Sequence, residues 1–322
     1  MKKDSLITTF YHPLMSLEPE DTGSYSMSPA KAKLLMKYLA EKDLSAHFDV
    51  MDEFELLQRD DFYIAHTREM VDGFFDEGKT RRILHVKWTP RYAESMIYQN
   101  SSLYHALRHA VMHPEQVSFS PTSAFHHANP SRGALFCAFS GQVIASVKIY
   151  REFGLCGSYI DLDGHYGNSI DNSREFVPGL DRAISPVCGN INIMSRHQAY
   201  LEELKGHLQV LRKEILEGRV HYIVFAHGAD SHEWDELASQ LTTEEWVECS
   251  RLVYSFVKDL QEETGKQIPL VLSLFGGYRK DDYRSVLSLH TLDLVTCLNI
   301  LCGKKIRYEA EVRSPSGVSD SR

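Results

Sequence analysis

CGSYIDLDGHYGNS, residues 156–169, has the pattern of a buried strand that ends in acids. Gly157, Tyr159 and Ile160 supply the end of an apolar, β-forming run. Gly164, Gly167 and Asn168 then break it. Asp161, Asp163 and His165 therefore leave one strand end within five residues. Side chains at i, i+2 and i+4 share a face of an extended chain, so all three point one way if the extension persists. Carboxylate oxygen and imidazole nitrogen together suit a divalent metal such as zinc. The competing reading is a solvated loop, because Asp, Gly and His are common in turns.

The flanks of this stretch set the fold class. A helix over 140–153, with Val143, Ile144 and Val147 inward, feeds the strand. Downstream, strands over 189–194, 220–225 and 269–274 alternate with long helices over 198–219 and 281–301, and a Thr-x-x-Glu capping box at Thr242–Glu245 opens another helix. Upstream, Ser28-Pro29 marks a helix start, a further helix carries Met70, Val71, Phe74 and Phe75, residues 82–88 read as a strand, residues 101–113 as a helix, and residues 117–119 as a short strand. Alternating strands and helices give a mostly parallel sheet covered on both faces, a three-layer α/β/α arrangement. In such sheets functional groups collect beyond the strand C-termini. The most polar strand endings are 161–165, 227–230 and 276–278, and this fold brings them together.

Composition bounds the rest. A chain of 322 residues with 43% apolar content supports one large domain, placed at 1–303, followed by a polar tail at 304–322 whose end is expected to be disordered. A net charge of −9 argues against a broad basic surface for nucleic acid. The six cysteines show no paired metal-finger spacing and read as buried thiols. No signal-peptide core and no run of about 18 apolar residues is present, so a soluble, cytoplasmic protein without membrane contact is expected. His105, His109 and His113 recur at helical spacing, which can hold zinc, but no acid lies between them and Leu103, Leu107, Ala110 and Val111 already supply an apolar face. A structural role is expected there.

Four motifs, PTSAFHHA, YIDLDGHYGNS, AHGADSH and LFGGY, occur in the order and rough spacing of the zinc-dependent histone deacetylase family, which the chain resembles from about residue 10 to 300. The segments YIAHTREM, GNINIM and DELASQLTTEEW extend the likeness. That family shares its fold with the arginases. The resemblance implies zinc held by Asp163, His165 and Asp230, with His127 as general base and acid and His126 as its electrostatic partner. Tyr278 would polarise the scissile carbonyl. Asp161 would orient His126 and help bind a structural potassium ion. Phe136 and Leu135 would line the substrate tunnel, Asn168 would hydrogen-bond His127, and Gly276 and Gly277 would permit close approach at the pocket floor.

The implied chemistry is consistent with these residue types. Two carboxylates and an imidazole leave zinc an open position for water. A histidine can take the water proton and return it to the leaving amine, while a tyrosine hydroxyl can donate to the oxyanion. The implied substrate is an acylated amine, such as acetyl-lysine in a protein, an acetylated polyamine or another small amide. Departures from the family pattern are Tyr166 in place of a second histidine, Leu135 beside Phe136 and Phe275 within the glycine run. No rim aspartate is identifiable near Trp88-Thr89-Pro90. Two other readings stand beside this one. A manganese ureohydrolase would need further aspartates for a second metal, and a non-catalytic binding protein could retain the fold.

Overall fold

A computed structural model describes residues 6–24, 26–77, 86–123 and 125–315. Seven strands form one sheet in the order β2-β1-β3-β7-β6-β4-β5. They are β1 (Ile7–Phe10), β2 (Phe48–Met51), β3 (Val117–Ser120), β4 (Gly157–Asp161), β5 (Asn190–Asn192), β6 (Tyr222–Ala226) and β7 (Leu270–Ser273). Every pairing is parallel. The central strands are buried along their whole length, as expected of parallel strands covered on both faces.

Alternation along each strand feeds two cores. Ile160, Phe225 and Leu272 face the helices Lys31–Glu41, His197–Leu216, Thr243–Thr264 and Tyr283–Ile300. Tyr159, Val224 and Val271 face the helices Pro90–Met112 and Gly141–Phe153. The capping box forms as expected, with Thr242 Oγ1 accepting from Glu245 N and Glu245 Oε2 accepting from Thr242 N. Such a cap contributes about 1 kcal/mol.

Register explains the position of the functional loops. Ser120 pairs with Ser273, Ser273 with Ala226, and Ala226 with Asp161. These four residues form one row across the adjacent strands β3, β7, β6 and β4, so the loops that follow them emerge at one edge.

The structure differs from the sequence expectations in several places. The helix expected from residue 101 begins at Pro90, with Thr89 accepting from Tyr92 N as its cap. Its middle is polar yet buried. Gln99, Asn100, Ser101 and Ser102 bond to the carbonyls of Met15, Met96, Ile97 and Phe10, which hides the apolar period. The strands β1 and β2, four residues each at the β2 end of the sheet, are not among the strands expected from the sequence. Of the strand expected at 82–88, residues 82–85 lie outside the described residues and 86–88 are not extended into the sheet. The polar segment after Gly303 packs down through residue 315: Ile306, Tyr308 and Val312 lie against the core, and the Tyr308 hydroxyl is 2.7 Å from Ser288 Oγ. Residues 316–322 lie outside the described residues. Among the described residues no helix is long and apolar enough to cross a membrane.

Candidate metal centre

Four loops build the site. The turn after β4 carries Asp163 and His165, and the loop after β6 carries Asp230. Asp163, His165 and Asp230 each offer one ligand atom, all within 4.8 Å of one another. They are the one such group among the described residues, so the second aspartate cluster of a two-metal centre does not appear there. Backbone donors from neighbouring loops aim the carboxylates. His165 N and Gly276 N donate to the two oxygens of Asp163 at 2.9 and 2.7 Å. Gly164 N donates to Asp230 Oδ1 at 3.1 Å.

The donor set fits a divalent cation. Asp230 Oδ2 is fully buried without a hydrogen bond. It approaches His165 Nδ1 to 2.8 Å, a charge contact that lacks hydrogen-bond direction. An unsatisfied buried acceptor costs about 1–3 kcal/mol, more when charged, and a bound cation removes that cost. Glycine makes the cradle possible: a Cβ at Gly228 or Gly276 would stand 2.4 Å from an Asp230 carboxylate atom. Charge follows the same logic. Its hydrogen bond to Asp163 and the carboxylate of Asp230 beside it hold His165 up at about 11. Burial, with Asp163 beside it, raises Asp230. Burial also works to raise Asp163, but His126 and His165 outweigh it and the net shift is downward. An imidazolium between two carboxylates marks a position that selects positive charge.

The loop after β3 brings the histidine pair. His126 Nδ1 lies 2.8 Å from Asp161 Oδ2, and His126 Nε2 lies 3.7 Å from Asp163 Oδ2. Burial disfavours the His126 cation, yet Asp161 and Asp163 prevail and raise it to about 9. The His127 ring is 4.1 Å from that of His126 and 6.1 Å from that of His165. Neither ring nitrogen of His127 has a hydrogen bond among the described residues. Burial, then the adjacent His126 charge, pushes His127 down to about 3. Asp161 Oδ1 accepts from Asp163 N at 3.2 Å, so both of its oxygens are engaged.

The turn after β7 brings Tyr278. Its ring stacks on Phe136 at 5.4 Å and lies 6.1 Å from His165. Its backbone N donates to Asp235 Oδ2 at 2.7 Å, and its hydroxyl has no hydrogen bond among the described residues. Leu135, beside Phe136, takes a left-handed conformation with φ 52°, and is half-buried.

Some expectations need correction. Asn168 does not bond His127: the chain turns outward after Gly167, and Asn168 is exposed at the N-cap of the short helix Ser169–Ser173. At Gly276 and Gly277 the backbone packs closely, as glycine allows. Gly276 lies under the two acids, and a Cβ on Gly277 would strike Val286 at 2.6 Å. The structural role expected of the histidine row needs no correction: His105 and His109 pack against the Phe10 ring, and His105 Nε2 is 2.7 Å from the Glu55 carbonyl oxygen.

Three contributors were not among the expected site residues, although His66 and Asp235 lie in segments that extend the likeness. Asp235, within DELASQ, anchors Tyr278. His66 bridges two loops: it accepts from Ser140 N at 2.9 Å through Nε2, leaving Nδ1 to donate to the Asn129 carbonyl at 3.0 Å. Lys31 is fully buried behind the acids. A buried charge opposite a cluster of acids is invisible to local periodicity.

Residues 25–181 match the family model described as the histone deacetylase domain. That segment contains His126, His127, Asp161, Asp163 and His165 and stops before Asp230 and Tyr278. No curated protein matches the chain.

Proposed function

We propose that the chain, whose residues 25–181 match the histone deacetylase domain, is a zinc-dependent amidohydrolase of that family that removes an acyl group, acetyl in the simplest case, from an acylated amine. The observation that carries this reading is the pairing of a three-ligand cation cradle with two polar side-chain ends, on His127 and Tyr278, that have no hydrogen bond among the described residues. Deacetylase-type hydrolysis needs both parts.

Asp163, His165 and Asp230 would hold the ion. A zinc ion bound there supplies Lewis acidity, lowering the pKa of a water and polarising the amide carbonyl. His127, neutral in its buried position, takes the proton of the attacking water at a ring nitrogen and returns it to the departing amine. His126 stays cationic against Asp161 and adds positive charge beside the reacting carbon. The Tyr278 hydroxyl donates to the oxyanion as the carbonyl carbon becomes tetrahedral. Asp235 fixes the backbone of Tyr278, and Phe136 walls the approach by stacking on its ring. Water adds across the C–N bond, giving a free amine and a carboxylate. The potassium ion expected at Asp161 would share a carboxylate whose oxygens already accept two hydrogen bonds, and it enters no step.

The test is a panel of acetyl-lysine peptide, acetylated polyamine and simple N-acetyl amines offered to the zinc-loaded protein, reading free amine. Release of amine from at least one class, lost on chelation and restored by zinc, is expected. Stoichiometric zinc with no turnover of any class would leave a binding protein.

A further inference from the structure

From Lys304 to Arg313 the chain is extended, and its exposure alternates residue by residue, with Ile306, Tyr308 and Val312 turned to the core. Among the described residues this segment joins no strand. Its backbone bonds go to side chains of the helix Tyr283–Ile300. Asn299 brackets Ile306, accepting from its N–H at 2.8 Å and donating to its carbonyl at 2.9 Å. Ser288 Oγ accepts from Glu311 N at 2.7 Å, and Ser285 Oγ accepts from Arg313 N at 3.3 Å. Spacings of three and eleven put Ser285, Ser288 and Asn299 on one face of the helix. The segment therefore runs back along that helix, from its C-terminal end to its start.

Its last contact is with Arg279, the residue after Tyr278. Arg279 Nη1 donates to the Arg313 carbonyl oxygen. Nε and Nη2 donate to the two Asp281 oxygens at 2.8 and 2.9 Å. The guanidinium also lies over the Trp234 ring, 5.9 Å from its centre, and Arg279 is only 3% exposed. Trp234 precedes Asp235, whose carboxylate accepts from Tyr278 N. One side chain thus meets the turn that carries Tyr278, the loop that follows Asp230, and the C-terminal segment.

Each contact has a consequence. A guanidinium held by a bidentate carboxylate and a ring face has a fixed plane. The Arg313 carbonyl takes the N–H that this plane leaves over, and a buried donor without an acceptor is costly. A segment held by a few side-chain bonds and three apolar residues belongs to the part of a fold that opens before the core. When it lifts, the guanidinium loses an acceptor and its place on Trp234 is no longer fixed. A shift of about 1 Å at a reacting group can cost up to about 100-fold in rate.

We propose that Arg279 is a positioning residue for Tyr278, and that residues 304–313 form a strap on which this positioning depends, so that turnover follows whether the strap is docked. The inference rests on the amidohydrolase reading, through the role given there to Tyr278.

The test uses two variants of the full chain. Arg279→Met keeps the stem and removes the guanidinium. Ser288→Ala with Asn299→Ala loosens the strap away from the site. Amide hydrogen exchange is followed in segments 276–279 and 304–313, with zinc content, tryptophan emission and the amide assay on the same proteins. In Arg279→Met, exchange is expected to rise at 276–279 while 304–308 stays protected. In the double variant it is expected to rise in both segments. Emission is expected to change in Arg279→Met, and to stay constant when the same substitution is made in a Trp234→Phe protein. Both variants are expected to keep one zinc and the wild-type KM within about threefold, with kcat lower by roughly tenfold or more.

Wild-type exchange at 276–279 and wild-type kcat in Arg279→Met overturn the role of Arg279. A loosened strap with wild-type exchange at 276–279 overturns the dependence on the strap. If the double variant does not fold, Asn299→Ala alone takes its place under the same criteria. Exchange and emission are read without substrate, so failure of the parent reading looks different: the wild type itself takes up no zinc or releases no amine, whatever the strap does.

Discussion

On the β4–β6 side of the site, Asp161, Asp163 and Asp230 are held by backbone N–H donors or by His126, and a single oxygen, Asp230 Oδ2, is left without a hydrogen bond. On the β3–β7 side, His127 and Tyr278 are held by ring contacts and by backbone anchors, and their polar ends are left open. The first arrangement fixes oxygens in space, which is what an ion needs. The second packs rings firmly while leaving hydrogen-bonding capacity for a ligand, which is what proton transfer and oxyanion stabilisation need. Neighbouring residues can fall on opposite sides of this division. His126 is a cation locked to Asp161, while His127, the next residue, is neutral and unbonded.

Breaking the acid side should have the largest effect. Asp163→Ala, or His165→Ala, is expected to abolish both stoichiometric zinc and turnover, because each removes one of only three ligands; metal analysis beside the amide assay checks this. An active, zinc-free Asp163→Ala protein would end the division drawn above.

Breaking the ring side should spare the metal. Tyr278→Phe deletes one oxygen and almost no packing. Loss of one oxyanion donor costs roughly 100- to 1000-fold in kcat, so a fall of that order is expected, with zinc content, KM and melting temperature near those of the wild type. Retention of more than about a third of kcat would remove Tyr278 from that role.

The support behind the ring side is tested by pH. His66 is neutral in the fold: burial pushes it from 6.5 down to about 4, and protonation would set Nε2–H against the Ser140 N–H it now accepts. The unfolded chain therefore binds the extra proton first, and stability falls as pH drops from 6.5 toward 4 and is unaffected by this group above that window. The shift corresponds to about 3 kcal/mol at most. Denaturant unfolding of wild type and His66→Asn across this range should show the acid slope flattened in the variant; parallel slopes would place the effect elsewhere.

The smallest effect is expected at Asn168. It is exposed at a helix cap and reaches neither half of the site. Asn168→Ala should change kcat/KM by less than about twofold, at the level of a cap replacement. A large loss would mean that the loop closes on His127 when substrate binds.

The same contrast explains what sequence reveals. Asp161, Asp163 and His165 were legible because strand alternation and a glycine break fall together in one short run, and the same pattern at β6 and β7 pointed to Asp230 and Tyr278. Parallel topology follows from the alternation of strands and helices, and the register row Ser120–Ser273–Ala226–Asp161 is its outcome. The support was not legible. Asp235, His66 and Lys31 act across loops far apart in the chain, and each looks locally like an ordinary polar residue. Ser101 and Ser102 misled for the opposite reason: they look like a helix boundary and instead bury their hydroxyls inside one. Asn168 was placed by likeness to other chains, and the local turn sends it to solvent.

The measurement closest to the central claim is zinc stoichiometry titrated against activity. Protein stripped by chelator is given zinc in fractional steps, and bound metal and amine release are read on the same samples. A single tight equivalent is expected, with activity rising in proportion and saturating at one zinc per chain, and with no such uptake in Asp163→Ala. Activity that is full before any zinc is added, or an equivalent of zinc bound as tightly by Asp163→Ala, would contradict the account.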